Sequence, residues 1–249
     1  MRTHLRSISV ALAIAGAPAV YAHSDHCNVD SDYDFKITDD ALVFERDSGN
    51  PERVEFRHGE LIIDGQRQNL STADRDRVAR FERDAREIVP EAKAIALDAV
   101  DLAAVALEQV ATAFASGDDR DRIIARGNDL RVRLRDRIES ANSSDSFDEE
   151  EFEEAIEEIV ETAVPELVGG VAAMAMKAAF SGDEDMVTQI EARAEELERT
   201  IEREVEARAD LIETRADALC ERVRQLDQIE SQFEFAMADG RSLDLLDTD

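Results

Sequence analysis

The sequence predicts an α+β protein, mostly α, in which a small N-terminal antiparallel β-meander packs on an elongated bundle or hairpin of long helices. Three observations lead to this fold class. Residues 27–70 alternate short apolar runs with turn residues. The rest of the chain is rich in alanine, glutamate, arginine and leucine, which favour helices. Its last quarter also repeats apolar residues every three or four positions, as an amphipathic helix does.

Residues 1–22 have the pattern of a cleaved signal peptide. Arg2 and Arg6 give a basic start, and an apolar run of about 13 residues follows over 8–20, too short to span a bilayer as a helix. Ala22 stands where signal peptidase requires a small residue, so we expect cleavage before His23. The protein is therefore expected to be exported and to have no stable membrane insertion after cleavage.

The region 23–70 is expected to form the β-meander. Asp64-Gly65 favours a two-residue hairpin turn, because both positions tolerate positive φ. A sheet of this size has one apolar face and must pack on another element. The predicted strands are 35–38, 42–46, 53–56 and 61–64.

The region 71–239 is expected to form the helical body. Ser71 is a good N-cap, and Asp74 three residues later is a weaker capping-box partner than Glu or Gln. Prolines and clusters of Ser, Gly, Asn and Asp divide the region into five or so helices. We expect one break at Pro90, and N-caps at Asp118 and Asp183.

The final helix is predicted over about 184–239, where thirteen apolar residues recur in steps of three or four. It would be roughly 80 Å long and must pack along other long helices or a partner chain, as in a helical bundle or coiled coil. The mean step of about 3.6 residues is closer to a straight amphipathic helix than to a heptad repeat. Residues 240–249 are expected to form a flexible acidic tail.

The charge is strongly negative, with 59 acidic and 29 basic residues and a formal net charge of −30. Phosphate backbones and anionic lipid surfaces repel such a protein, so we predict no nucleic-acid partner. Two explanations of the acidity stay open. It can be an adaptation to high or variable salt, or a face that binds cations or steers a partner.

Cys27 and Cys220 are the only two cysteines. In an oxidising compartment an isolated pair usually forms a disulfide, which here would close a loop of about 194 residues and stabilise the fold by at most roughly 5 kcal/mol. An intermolecular bond or reactive thiols are the alternative, although the sequence lacks a Cys-x-x-Cys motif.

Residues near the mature N-terminus resemble metal ligands in two places. His23 and His26, beside the free amine, are weak candidates for copper or nickel, with incidental terminal histidines as the alternative. Residues 30–34 begin like a calcium loop, but Phe35 and Ala41 replace the required glycine and glutamate. We therefore predict no metal site and no cofactor.

Common catalytic motifs are absent from the sequence, which has no Gly-x-Ser-x-Gly, phosphate-binding loop or His-Glu-x-x-His. His58 is the one histidine inside the predicted fold. The acidic run 148–158 carries apolar residues at helical spacing, which is typical of a solvated face. A pair of buried hydrolytic carboxylates is the alternative. We predict that the protein is not an enzyme.

Four features together carry a family resemblance. They are Cys27 directly after the signal, the hairpin at 59–65 running into Ser71, the helix broken by Pro90, and Cys220 near the end of the long helix. In these the chain resembles the YggN-like family of exported proteobacterial proteins, whose domain has no known function. The resemblance implies a periplasmic protein and adds weight to the disulfide, but it supplies no catalytic residues. The heavy acidity departs from the family and would suit a salt-tolerant bacterium.

We therefore expect an exported periplasmic protein that acts as a non-enzymatic binding protein or envelope-associated scaffold, through its long helices or a groove between them. Its partner would be an unknown envelope protein or a small ligand. The alternatives are an envelope hydrolase using buried carboxylates and a divalent-cation binding protein.

Overall fold

The computed structural model describes residues 29–143, 184–237 and 239–248, together with positions 157, 161, 165, 167–170, 172, 176 and 180. The predicted class, α+β and mostly α, is confirmed. None of the helices in these ranges is long and apolar enough to cross a bilayer. The strands are β1 (Asp34–Ile37), β2 (Leu42–Glu45), β3 (Arg53–Arg57), β4 (Glu60–Ile63) and β5 (Gln66–Arg67). The helices are α1 (Thr72–Phe114), α2 (Gly117–Ser140), α3 (Glu184–Thr200), a π-helical segment (Ile201–Glu206) and α4 (Ala207–Glu230).

The five strands form one antiparallel sheet in the order β1-β2-β3-β4-β5, so the predicted meander is confirmed. Asp64 and Gly65 make the β4–β5 turn with φ of 48° and 76°, the left-handed values that a two-residue hairpin needs. His58 and Gly59 connect β3 to β4 in the same way. The Asp64 carboxylate also accepts two backbone N–H groups at the start of β3, at 3.0 and 2.9 Å, which fixes this turn against the neighbouring strand.

Both edges of the sheet are short or occupied. β5 has only two residues, both exposed. On the outer side of β1, the Ile37 N–H donates to the Asn142 carbonyl at 2.8 Å. Ahead of β1, Asp30 forms an isolated antiparallel bridge with Asp247. The described edges therefore offer little free backbone to which a further strand could add.

The buried face of the sheet packs on the N-terminal part of α1 through an aromatic cluster. Phe56 and Phe81 stack with their ring centroids 4.7 Å apart. Phe44 lies 6.0 Å from Phe56, and Phe233 lies 6.2 Å from Phe81. The core of the sheet end therefore combines residues from the first strands, from α1 and from the chain that follows α4.

The predicted helix break at Pro90 is wrong, because α1 runs without interruption through this residue. A proline inside a helix removes one hydrogen bond and costs about 3 kcal/mol. Contacts on both sides of Pro90 offset this cost. Ile88 is buried in the core, Glu91 pairs with Arg222 of α4, and the Lys93 ammonium donates to the Glu139 carbonyl of α2 at 3.1 Å.

The starts of the first two helices differ in how well the sequence predicts them. Ser71 is the N-cap of α1 as expected, and its hydroxyl oxygen accepts the Asp74 N–H at 3.0 Å. The predicted N-cap at Asp118 is wrong, because Ser116 holds that position and Asp118 lies in the first turn of α2. A carboxylate there still faces the positive end of the helix dipole. Asp183 lies outside the described residues.

Residues 184–230, comprising α3, the π-helical segment and α4, are named the C-terminal helix. This helix packs antiparallel along α1, which confirms the predicted helical hairpin. Arg222 pairs with Glu91 of α1 at 2.5 Å, and Arg215, two turns earlier, pairs with Asp98. Residues further along α1 therefore contact residues nearer the start of the C-terminal helix.

Two predictions for the C-terminus are wrong. The last helix ends at Glu230, nine residues before the predicted end, and the following turn directs Phe233 into the core. The segment 240–249, where it is described, is not a flexible tail, since Leu243 and Leu245 are buried. Burying a leucine contributes about 1.5–3 kcal/mol, which favours returning the chain to the core over extending the helix into solvent.

Candidate functional site

Three acidic side chains are buried among the described residues, namely Asp74, Glu82 and Glu230. Asp74 and Glu82 lie on the first turns of α1, and Glu230 ends α4. A buried carboxyl group is costly unless it is paired, hydrogen-bonded or neutral. Such groups are therefore the first candidates for chemistry at this end of the molecule.

Asp74 connects the start of α1 to the chain that follows α4. Its carboxylate accepts the Glu234 N–H at 3.0 Å, the Ser71 hydroxyl at 3.0 Å and an Arg77 N–H at 2.9 Å. Burial alone would raise the pKa of Asp74, but these three hydrogen bonds outweigh it and hold the pKa below its ordinary value. The geometry is that of an ionised structural link rather than a proton donor.

Glu82 is the second buried carboxylate, and it forms an ion pair with an arginine of its own helix. One oxygen accepts two N–H groups of Arg86, one turn later, at 3.2 and 3.1 Å. The same guanidinium donates to the Thr38 carbonyl between β1 and β2 at 2.6 Å. Glu82 therefore orients an arginine that fixes α1 to the sheet.

Glu230 has a different environment, because its carboxyl oxygens bond to backbone N–H groups and not to an arginine. Its two oxygens accept the N–H groups of Leu245 at 2.7 Å and Leu246 at 3.1 Å. Burial is the main reason that the pKa of Glu230 is raised to about 8; the two N–H donors oppose this rise, and the negative charges of Asp244 and Asp227 add to it. At neutral pH the group is therefore mainly protonated.

These carboxyl groups do not form a catalytic pair. Each has its own partners, and a hydrolase of the predicted kind needs two carboxyl groups facing one substrate across a cleft. The part of the chain that the structure describes contains no such pair, which the alternative of an envelope hydrolase requires. In the same part, no three His, Cys, Asp or Glu side chains are grouped to hold a metal ion.

A small pocket lies between α1 and α2. Its volume of about 10 Å³ gives room for roughly one water molecule. The helices approach closely here because residue 127 is glycine, and a Cβ at that position would lie 2.7 Å from the Leu107 Cδ2. The pocket is lined by Ala104, Leu107, Glu108, Ile124, Gly127 and Asn128.

The helical residues 167–170 contact the end of α1 that lies away from the sheet. Leu167 packs against a buried cluster that includes Ala111 and Ile123. Gly170 allows a close approach, since a Cβ there would lie 2.7 Å from the Phe114 carbonyl oxygen. This junction is named the distal end.

Beyond the junction, a row of apolar side chains is exposed. Val168, Ala172, Met176 and Phe180 are each helical and exposed, and they follow one another at the i, i+4 interval that is typical of one side of a helix. Phe180 is 89% exposed, Val168 61% and Met176 57%. These four residues are named the exposed apolar face.

Comparison with protein families decides where the chain belongs. The family model described as a protein of unknown function (DUF2884) matches residues 27–246. The chain belongs to the DUF2884 family. The resemblance to YggN-like proteins is consistent with this membership. No curated protein and no solved structure matches the chain. The part shared with DUF2884 includes the sheet, α1, and the segment that returns to Glu230.

Most of the site residues that the sequence predicts for this DUF2884 protein precede residue 29, where the described structure begins. Cys220 is buried on α4, whereas Cys27 lies outside the described residues, so their pairing stays a prediction. His23 and His26 also lie outside the described residues, as does the acidic run 148–158 apart from the exposed Glu157.

The three buried carboxyl groups were not predicted as a set, although Glu230 carried a signal. It follows Ile229 and lies one turn after Leu226, both of which belong to the buried stripe of α4. A glutamate placed 40° from the centre of an apolar stripe is expected to be buried. The spacing of Leu243 and Leu245, with one residue between them, similarly indicates a segment with one buried side.

Proposed function

We propose that the protein is exported to the periplasm and acts there without catalysis, by binding a partner through its exposed apolar face. The single observation that carries this proposal is the row ending at Phe180, whose ring is 89% exposed. Single exposed apolar residues are common, but large ones in a row mark interaction surfaces. Aromatic and methionine side chains are also the types enriched in protein interfaces.

Charge around this face defines the chemistry of the partner. The segment 148–206 contains 20 acidic and 4 basic residues. Glu157 and Glu161 are exposed helical residues four apart, ahead of the apolar row. A partner that covers the apolar side chains must also neutralise these carboxylates. A cationic amphipathic helix meets both requirements.

The sheet end is less suited to such binding. Its apolar face is already covered by α1, by α4 and by the returning C-terminal segment. The described edges of the sheet are short or occupied, and the pocket between α1 and α2 accepts about one water molecule. A partner therefore has more exposed apolar surface available at the distal end than at the sheet.

The contacts around Asp30 are compatible with the disulfide between Cys27 and Cys220 that export to an oxidising compartment would favour. Asp30 bonds to Asp247, and the neighbouring Thr248 hydroxyl bonds to Asp227 of α4 at 2.6 Å. Cys220 precedes Asp227 on this helix by seven residues, a rise of about 10.5 Å. Cys27 precedes Asp30 by three residues, a length of chain that spans about 10 Å when it is extended. The chain is thus long enough for the pair to meet.

Binding can be tested by fluorescence anisotropy of the mature chain with a synthetic amphipathic peptide of leucine and lysine. We expect saturable binding that weakens as salt is raised, because part of the attraction is electrostatic. A peptide of the same composition in scrambled order and a leucine–glutamate peptide should bind at least about tenfold more weakly.

Variants locate the binding face. Phe180→Ser combined with Met176→Ser should weaken binding about tenfold or more, since truncating central apolar contacts costs over 1 kcal/mol each. Val132→Ser is the matched control, because Val132 is 56% exposed but lies on α2. Equal binding of the ordered and scrambled peptides, or equal losses in both variants, would contradict the proposal. Mass spectrometry of the native protein tests export, which an intact Met1 with free thiols would disprove.

A further inference from the structure

Gly169 lies beside the exposed apolar face, and the described structure gives no reason for a glycine at this position. The residue is helical and exposed, and a Cβ built on it would meet no atom of the described residues within 4 Å. Its backbone does not adopt the positive φ that favours glycine. Neither close packing nor backbone conformation within the described residues therefore requires glycine here.

The adjacent Gly170 shows how a structural requirement looks at the same junction. A Cβ at Gly170 would lie 2.7 Å from the Phe114 carbonyl oxygen at the end of α1. Any larger residue would push the helical residues 167–170 away from α1. The packing of the distal end thus explains Gly170 but leaves Gly169 unexplained.

A glycine at an exposed helical position weakens the helix. Its backbone loses more conformational freedom on folding than that of any other residue, and alanine is the residue that favours a helix most. Alanine would fit at position 169 without a contact. Glycine here is a disadvantage for the fold, and its use is to let another molecule come close to the backbone.

The residues around Gly169 form a low part of the exposed surface. Pro165 and Ala172, which are four residues before and three residues after it, are helical and exposed and have short side chains. Gly169, Pro165 and Ala172 are here named the glycine notch. Further along the chain, Met176 and Phe180 are larger, and they are 57% and 89% exposed. The surface is therefore low at the notch and high at Phe180.

We propose that the glycine notch accommodates a large apolar side chain of the cationic amphipathic helix that binds the exposed apolar face. This inference rests on the proposed function, and it adds the point at which the partner helix comes closest. Because position 169 lacks a Cβ, a side chain of the size of leucine can contact the backbone there, as a knob enters a hole between two packed helices.

The low and high parts of the surface also define the pattern of the partner. Gly169 and Phe180 are eleven residues apart, which corresponds to roughly 16 Å at the rise of an α-helix. The partner needs a large apolar side chain opposite Gly169 and a smaller one opposite Phe180. Basic residues of the same helix meet the exposed carboxylates of Glu157 and Glu161.

Substitutions at position 169 separate binding from stability. Gly169→Ala should raise the melting temperature by up to roughly 4 °C, because alanine favours the helix. In fluorescence anisotropy, the same variant should bind the leucine–lysine peptide about threefold more weakly, and Gly169→Leu, which fills the notch, about tenfold or more. Higher stability together with weaker binding is not expected of a residue with a purely structural role.

Ala218→Leu is the matched control. It also enlarges an exposed helical residue, but Ala218 lies on α4, away from the exposed apolar face. We expect this variant to bind the peptide as the unmodified protein does. A loss of affinity as large as that of Gly169→Leu would overturn the inference, because it would show that added bulk weakens binding wherever it is placed.

Changes in the peptide test the same contact from the partner's side. A scan that replaces one leucine at a time by alanine should find a position at which the change weakens binding to the unmodified protein. The same change should restore binding to Gly169→Leu by at least about threefold, because the smaller side chain fits against the filled notch. A scan in which no position shows this reversal would overturn the inference.

The outcomes distinguish this inference from the proposed function. Equal binding of the peptide to Gly169→Leu and to the unmodified protein would overturn the inference alone, provided that Phe180→Ser combined with Met176→Ser still weakens binding. Absence of saturable binding to the unmodified protein would instead overturn the proposed function and this inference with it.

Discussion

Replacing Asp74 by alanine should destabilise the protein by about 2–4 kcal/mol. The Glu234 N–H would be left without its acceptor, which costs about 1–3 kcal/mol, and the lost bond from the Ser71 hydroxyl adds about 1 kcal/mol. Asp74 is only 2% exposed, so water does not replace these bonds freely. Urea unfolding at pH 7, followed by circular dichroism, measures the difference.

The pH dependence of this variant gives a second test. Because the folded-state pKa of Asp74 lies below its ordinary 3.8, its contribution is complete above 3.8 and is lost as the pH falls through the lowered value. The difference in the free energy of unfolding between Asp74→Ala and the unmodified protein should therefore become smaller at acid pH. Glu234→Gln is the control, since it removes only an exposed partner of Arg77. If Asp74→Ala is as stable as this control at pH 7, the link between α1 and the chain after α4 is not stabilising.

Three further variants test other parts of the fold. Phe81→Ala should cost about 3–5 kcal/mol in urea unfolding, because Phe81 stands at the centre of the aromatic cluster. Gly170→Ala should lower the melting temperature, because its Cβ would clash with the Phe114 carbonyl, whereas Gly169→Ala meets nothing within 4 Å and should add up to about 1 kcal/mol. Cys220→Ser should abolish the predicted disulfide, with a loss of up to roughly 5 kcal/mol that reduction of the unmodified protein reproduces.

Local signals allowed the sheet to be predicted closely. Each strand is bounded by turn residues whose backbone preferences do not depend on distant contacts, as the positive φ of Asp64 and Gly65 illustrates. The start of α1 is equally local, because the Ser71 cap acts on an N–H three residues away. The helix break predicted at Pro90 is wrong for the opposite reason, since contacts with α2 and α4 outweigh the intrinsic tendency of proline to end a helix.

The bonding partners of the C-terminal segment and of the buried carboxyl groups depend on distant contacts, so the sequence does not reveal them. The apolar repeat of α4 continues to Phe233 and therefore conceals the end of the helix at Glu230. The sequence indicates Asp74 as a capping-box partner of Ser71, but its bond to the Glu234 N–H joins residues 160 positions apart. The exposure of Phe180 likewise depends on which neighbours cover the helix, and periodicity alone cannot decide this.

The pairing of Asp30 with Asp247 has a consequence for biosynthesis. Strands β1 to β5 leave the ribosome well before the side chains that complete their core, including Phe233 and Leu245, have been made. Loops that close over such distances form slowly, so the young polypeptide carries an uncovered apolar sheet until these residues follow. A chain that cannot complete its fold early remains unfolded enough to pass through a translocation channel, which suits the export proposed above.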